Sequence, residues 1–160
     1  MNFDDDDNED EEYDFFGPDP DETPEEREEF ERIQNMPIVD KADDINTLIF
    51  AVCASMPEDD DYSIHLQKDI HELGSTIGID IVEAESTKEY SKKMEYAVSS
   101  RHNVRLLLIS LSLCESRNYI KQDYMTIILE AIDELQPLFV AWVKSFDKSD
   151  IDDDGWGLWV

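Results

Sequence analysis

Three histidines, two cysteines and 41 carboxylates are the residues with which this chain could do chemistry. A carboxylate-bridged di-iron centre in a helical bundle needs Glu-x-x-His motifs on inward-facing positions. The residues three before His65, His71 and His102 are Tyr62, Lys68 and Ser99, so that chemistry has no ligands. Asp61, His65 and Asp69 recur every four residues, which suits a shared metal in principle but reads first as surface hydrogen bonding. Asp150-Ile151-Asp152-Asp153-Asp154-Gly155 opens like a calcium loop, but its twelfth position would fall one residue past Val160, so an acidic tail is the expectation. Cys53 and Cys114 each lie in an apolar run, outside any Cys-x-x-Cys, as buried small hydrophobes do. No phosphate loop, no G-x-S-x-G and no Cys/His nucleophile pair occurs. The expectation is a protein that is not an enzyme and holds no metal or cofactor.

Binding chemistry has more material. The formal charge is −28, with 17 acids against 2 bases in residues 1–32 alone. Such a charge repels phosphate backbones and anionic lipid and favours cationic partners. Nucleic acid is therefore an unexpected partner. One segment runs the other way: Lys88, Lys92, Lys93, Arg101 and Arg105 outnumber Glu89 and Glu95 and form a candidate interaction surface. The acidic N-terminus cannot be the basic region of a signal peptide, and no apolar run approaches the roughly 20 residues of a membrane span. A cytoplasmic address without membrane contact is expected.

The elements that would position these residues are helices. Tyr62, Leu66, Ile70, Leu73, Ile77, Ile81 and Ala84 recur at spacings of three and four, which puts them on one helical face. Ser86 and Glu89 read as a capping box that starts the next helix, where Tyr90, Met94 and Ala97 resume the rhythm. Two long helices so closely joined must lie antiparallel. Gly74 and Gly78 sit mid-helix, each costing up to about 1 kcal/mol against alanine, so a neighbouring helix must approach there. A helix over about 41–55 buries Ile45, Leu48, Ile49, Val52 and Met56, and Pro57 ends it. The last helix carries Tyr124, Ile128, Ala131, Leu135, Leu138, Trp142 and Phe146, with a kink or break expected at Pro137.

Thr23-Pro24-Glu25-Glu26 starts a short helix that ends before Pro37 and lies on the surface, since Phe30, Ile33 and Met36 are its only large apolar residues. Residues 1–23 are acid interleaved with Phe3, Tyr13, Phe15 and Phe16, a composition expected to be disordered in isolation. The predicted fold is all-α: an up-down-up-down four-helix bundle over 40–147. A disordered acidic arm (1–23), a peripheral helix with linker (24–39) and an acidic, tryptophan-bearing tail (148–160) flank it. The tail is expected to pack back on the bundle.

Around the central hairpin, Glu72-Leu73-Gly74-Ser75-Thr76-Ile77-Gly78-Ile79-Asp80-Ile81-Val82-Glu83-Ala84 resembles a family signature. That signature runs approximately Arg-Ala-x-x-Ser-Ile-Pro-x-Asn-Ile-Ala-Glu-Gly. Lys88-Glu89-Tyr90 and the run from Ala97 to Asn103 fall on its next block, and Met56-Pro57 on its Phe-Pro. The family is the small four-helix-bundle proteins encoded within 23S rRNA intervening sequences, and the resemblance covers about 40–145. The departures are Glu72 for Arg, Gly78 for Pro and Asn103 for a later Glu, so ion pairs built on those residues are not expected. The resemblance implies a ring-shaped homopentamer. It also implies kinship to an accessory protein of diversity-generating retroelements, whose basic surface engages nucleic acid and a reverse transcriptase.

Leu106-Leu107-Leu108-Ile109-Ser110-Leu111-Ser112-Leu113 is apolar nearly all round, more than one bundle stripe requires. A second subunit is the expected cover, with Leu106, Leu107, Ile109 and Leu113 at the interface. The functional expectation is an oligomeric protein-interaction module with a partner protein of basic character. An RNA or nucleoprotein accessory factor, and an acidic mimic or immunity-type inhibitor of a basic partner, are the alternatives. Within the chain, the arm is expected to fold over the basic segment through Phe15 and Phe16.

Overall fold

The computed structural model describes residues 23–149, 151, 155 and 156, and within them five helices and no strand. These are α1 (Pro24–Gln34), α2 (Pro37–Ala54), α3 (Asp61–Ser86), α4 (Tyr90–Ser116) and α5 (Gln122–Lys144). The acidic arm, with Phe15 and Phe16, lies outside the described residues, as does most of the calcium-like segment.

Local chemistry explains the helix ends. Thr23 Oγ1 accepts from the Glu26 amide, and the Glu26 carboxylate accepts from the Thr23 amide, the reciprocal box expected at α1. Pro37 does two jobs: it follows the end of α1 and opens α2 as its first residue. The 41–55 helix therefore begins four residues early, and Ile38 and Val39 are buried rather than part of a linker. Asp60 caps α3 by accepting from the Tyr62 and Ser63 amides, and the Tyr119 hydroxyl donates to its other oxygen at 2.6 Å. The Ser86–Glu89 capping box does not form. Ser86 remains the last residue of α3, its hydroxyl donating to the Val82 carbonyl, and Thr87 instead accepts from the Glu89 amide. At the end of α4, Asn118 adopts φ 58°, and the Tyr119 amide donates to Cys114 and the Asn118 amide to Glu115. This is a Schellman closure with asparagine in the left-handed position.

Pro137 does not break α5. It and Asp133 are both exposed, so the carbonyl deprived of its helical donor faces water. Of the two tryptophans in the tail, Trp156 is 82% exposed and Trp159 lies outside the described residues.

Helix α3 packs most extensively on α4 and also on α2; α5 packs on α2 and, more sparingly, on α4. The four helices thus enclose one core, in which Ile45, Ile49, Ile70, Ile77, Ile81, Leu107, Leu111 and Ile128 are fully buried. The expected stripes hold, except that Tyr62 stays 39% exposed, with the Arg117 guanidinium 4.1 Å from its ring centroid. Helix α1 contributes one buried residue, Ile33.

The two helical glycines mark where α2 and α3 come closest. A Cβ on Gly74 would lie 3.3 Å from both Cγ1 and Cγ2 of Ile49, whereas one on Gly78 would meet the Ala42 Cβ at 3.6 Å. Gly78 therefore has room for a methyl group and Gly74 does not. Gly78→Ala is expected to stabilise the fold by about 0.5–1 kcal/mol through helix propensity. Gly74→Ala is expected to lose that gain to crowding. Urea unfolding of the two variants separates them; equal midpoints would refute the close approach at Gly74.

Candidate interaction surface

The five expected basic residues do not form one stripe. Lys88 lies before α4, which begins at Tyr90. Lys92 and Arg101 are nine residues apart, and at about 100° per residue they face opposite sides of the helix. Lys92 is held by Glu89 at 2.8 Å. Lys93 points inward and is mostly buried, 3.3 Å from Glu85. Arg101 and Arg105 are exposed and, among the described residues, have no ion pair. Lys88 and Lys92, like Arg101 and Arg105, are four apart and would each share a face, but the nine residues between Lys92 and Arg101 separate the two pairs.

The expected apolar interface divides as well. Leu107 is fully buried within the chain's own core, so it cannot meet a second subunit. Ile109 is 64% exposed and Leu106 36% exposed, and Leu113 is partly buried against the core. Leu106, Ile109 and Leu113 are three and four apart and make an outward seam along α4.

Sequence reasoning missed a carboxylate hub. Glu85, near the end of α3, has an almost buried side chain. It accepts from Arg32 of α1 at 2.9 Å, from the Trp142 indole of α5 at 2.8 Å and from Lys93 of α4 at 3.3 Å. Burial pushes its pKa up, but the hydrogen bonds from Arg32 and Trp142 and the charge of Lys93 outweigh burial and hold it below the ordinary value. Lys93 also sits 5.3 Å from the Phe146 ring centroid. Glu85 follows Ile81 by four on the apolar stripe, which was the signal available in the sequence. A cleft of about 1030 Å³ between α1 and the α3–α4 turn runs past this hub, its walls carrying Glu25, Glu26 and Glu29 opposite Lys88 and Lys93.

A second buried carboxylate, Asp80, accepts from the Asn103 amide at 3.1 Å across the α3–α4 seam, and burial raises its pKa. Nearby, Ser100, with no exposed surface, donates to the Ile77 carbonyl at 3.2 Å. Both thiols are buried, and burial pushes Cys53 up to about 12 and Cys114 up to about 11, so neither is a poised nucleophile at neutral pH. His65 and Asp69 form an exposed pair at 3.5 Å. Among the described residues no three His, Cys, Asp or Glu side chains gather as metal ligands would. None of the described helices is long and apolar enough to cross a membrane.

Comparison with family models, curated proteins and solved structures returns no match.

Proposed function

We propose that this chain is a non-enzymatic protein-interaction module that assembles with itself, built as an up-down-up-down four-helix bundle with an acidic arm and a peripheral helix. The observation that carries the reading is the α4 seam. Ile109 is 64% exposed and Leu106 36% exposed beside a core that is already closed around Leu107 and Leu111. Water-exposed branched residues at heptad-like spacing, next to a filled core, are what a helix-to-helix subunit contact uses. A ring homopentamer is the assembly that the family resemblance implies. The charge of −28 suits a basic protein partner in a cytoplasmic setting and opposes nucleic acid. The division of the basic residues between two sides of α4 removes the main support for the RNA reading.

Ile109→Glu places a carboxylate in the seam while leaving the core untouched. Light scattering at micromolar concentration is expected to give an oligomer mass for the natural chain and a monomer mass for the variant, with unchanged helical circular dichroism. A monomer mass for the natural chain would refute self-assembly.

A further inference from the structure

We propose that the groove between α4 and α5 is the docking surface for this chain's own acidic segment, residues 1–22. Phe15 and Phe16 would seat against Val98 at its end nearest the tether, and the carboxylates would pair with Arg101 and Arg105. The docking face borders the self-assembly seam, since Ile109 follows Arg105 by four on α4, so docking is tested in the Ile109→Glu variant as well as in the natural chain.

Register defines the groove. Val98, Arg101, Arg105, Leu108, Ser112 and Glu115 follow one another at spacings of three and four, so they share one face of α4. The last three line a groove of about 480 Å³ against Met125, Thr126 and Leu129 of α5. From Leu129 the same α5 face continues through the exposed Asp133 and Gln136 to Val140, so its apolar surface lies at the two ends. Because α5 packs on α4 more sparingly than α3 does, apolar surface remains open on both walls: Val98 is 48% exposed, Leu129 41% and Val140 45%. The groove therefore presents apolar surface with two arginines at its edge.

Charge selects the occupant. Of the four lysines and arginines on α4, Lys92 and Lys93 already have carboxylate partners in the fold. Arg101 and Arg105 have none among the described residues, and they are the cations left for an incoming acid. Residues 1–22 hold 12 acids, no lysine or arginine, and the aromatics Phe3, Tyr13, Phe15 and Phe16. Aromatic rings suit the apolar walls and the planar guanidinium groups alike.

Tether length sets the register. Thr23 lines the same cleft as Thr87 and Lys88, so the segment departs beside the start of α4. Thirteen residues of rise from Lys88 to Arg101 are about 20 Å, and seven extended residues back from Thr23 to Phe16 span about 23–25 Å. Phe15 and Phe16 thus reach Val98 and Arg101, and the acids before them reach Arg105. A tether of this length gives an effective concentration of about millimolar order, enough to populate a weak contact. The groove is then masked by its own chain, and an acidic, aromatic segment of another protein would have to displace the arm to bind.

Because both native thiols are buried, the full-length chain can be spin-labelled selectively at Asn8→Cys. The expected result is broadening of amide signals across residues 98–109 and 129–140. Broadening should fade at about 0.5 M salt, where the Debye length is about 4 Å. It should be lost in Arg101→Glu/Arg105→Glu and weakened in Phe15→Ala/Phe16→Ala. Arg101 and Arg105 are exposed, and helical content serves as the folding control for every variant. Mixing isotope-labelled chains with spin-labelled, unlabelled chains, both carrying Ile109→Glu to prevent self-assembly, should leave the groove signals sharp. The proposal is overturned by uniform or absent broadening, by broadening confined to Lys88–Lys93, or by broadening in the mixed sample.

Discussion

Glu85→Ala is expected to destabilise the folded chain by on the order of 3 kcal/mol, the range for removing one partner of a buried charge pair. Its side chain is almost buried, and so is most of Lys93, whose ammonium would lose its ion-pair partner and keep only the Phe146 ring and the more distant Glu29. The Trp142 indole N–H would lose its acceptor as well. Arg32 is about half exposed, so its share of the loss is small and most of the cost falls on Lys93 and Trp142. Glu85→Gln should recover about half, since an amide oxygen still accepts from the indole. Chemical denaturation of the three proteins checks this, and a loss below about 1 kcal/mol for the alanine variant would mean that the hub contributes no more than a surface pair.

The same carboxylate fixes a pH dependence. Its pKa in the fold lies below the ordinary 4.5, so the unfolded chain takes up its proton first. Its contribution is fully present above pH 4.5 and is lost as the pH falls through the folded value. Asp80 has the opposite sign: burial raises its pKa above 3.8, so protonating it relieves rather than weakens the fold. Glu85→Gln should therefore flatten the acid limb of the stability curve, whereas Asp80→Asn should steepen it.

The helical faces were legible because their signal is periodic and local: from Leu66 to Ala84, spacing alone assigns the buried face. The glycine pair was legible for a similar reason, since a costly residue inside a helix requires a neighbour. The hub was not, because Glu85 meets Arg32 and Trp142 only after four connections have brought four of the helices to one end of the bundle. Likewise, Ser86 and Glu89 have the composition of a capping box, yet one hydrogen bond back to Val82 keeps Ser86 in the preceding helix. The basic segment was misjudged by treating two good pairs as one stripe. Helical rotation over the nine residues between Lys92 and Arg101 separates them, and only α5 reveals what the second pair borders.

The contact between Ile49 and Gly74 should behave as a single packing unit. Ile49 has no exposed surface, and its two γ carbons occupy the space where a Gly74 side chain would begin. Ile49→Ala should cost about 2–5 kcal/mol, through lost burial plus the cavity left beside Gly74. Gly74→Leu should cost about 1–3 kcal/mol or more, because its side chain must push Ile49 and then Asn46 aside. Combined, the large residue on α3 enters the space vacated on α2, and total volume is nearly restored. The double variant should therefore be more stable than the sum of the singles predicts, by about 1–3 kcal/mol. Pairing Ile49→Ala with a substitution at the exposed Ile79 should instead add without coupling. Urea unfolding of all four proteins in the cycle decides the matter. Strict additivity would mean that α2 and α3 do not meet at this glycine, and the register of the α2–α3 packing would have to be redrawn.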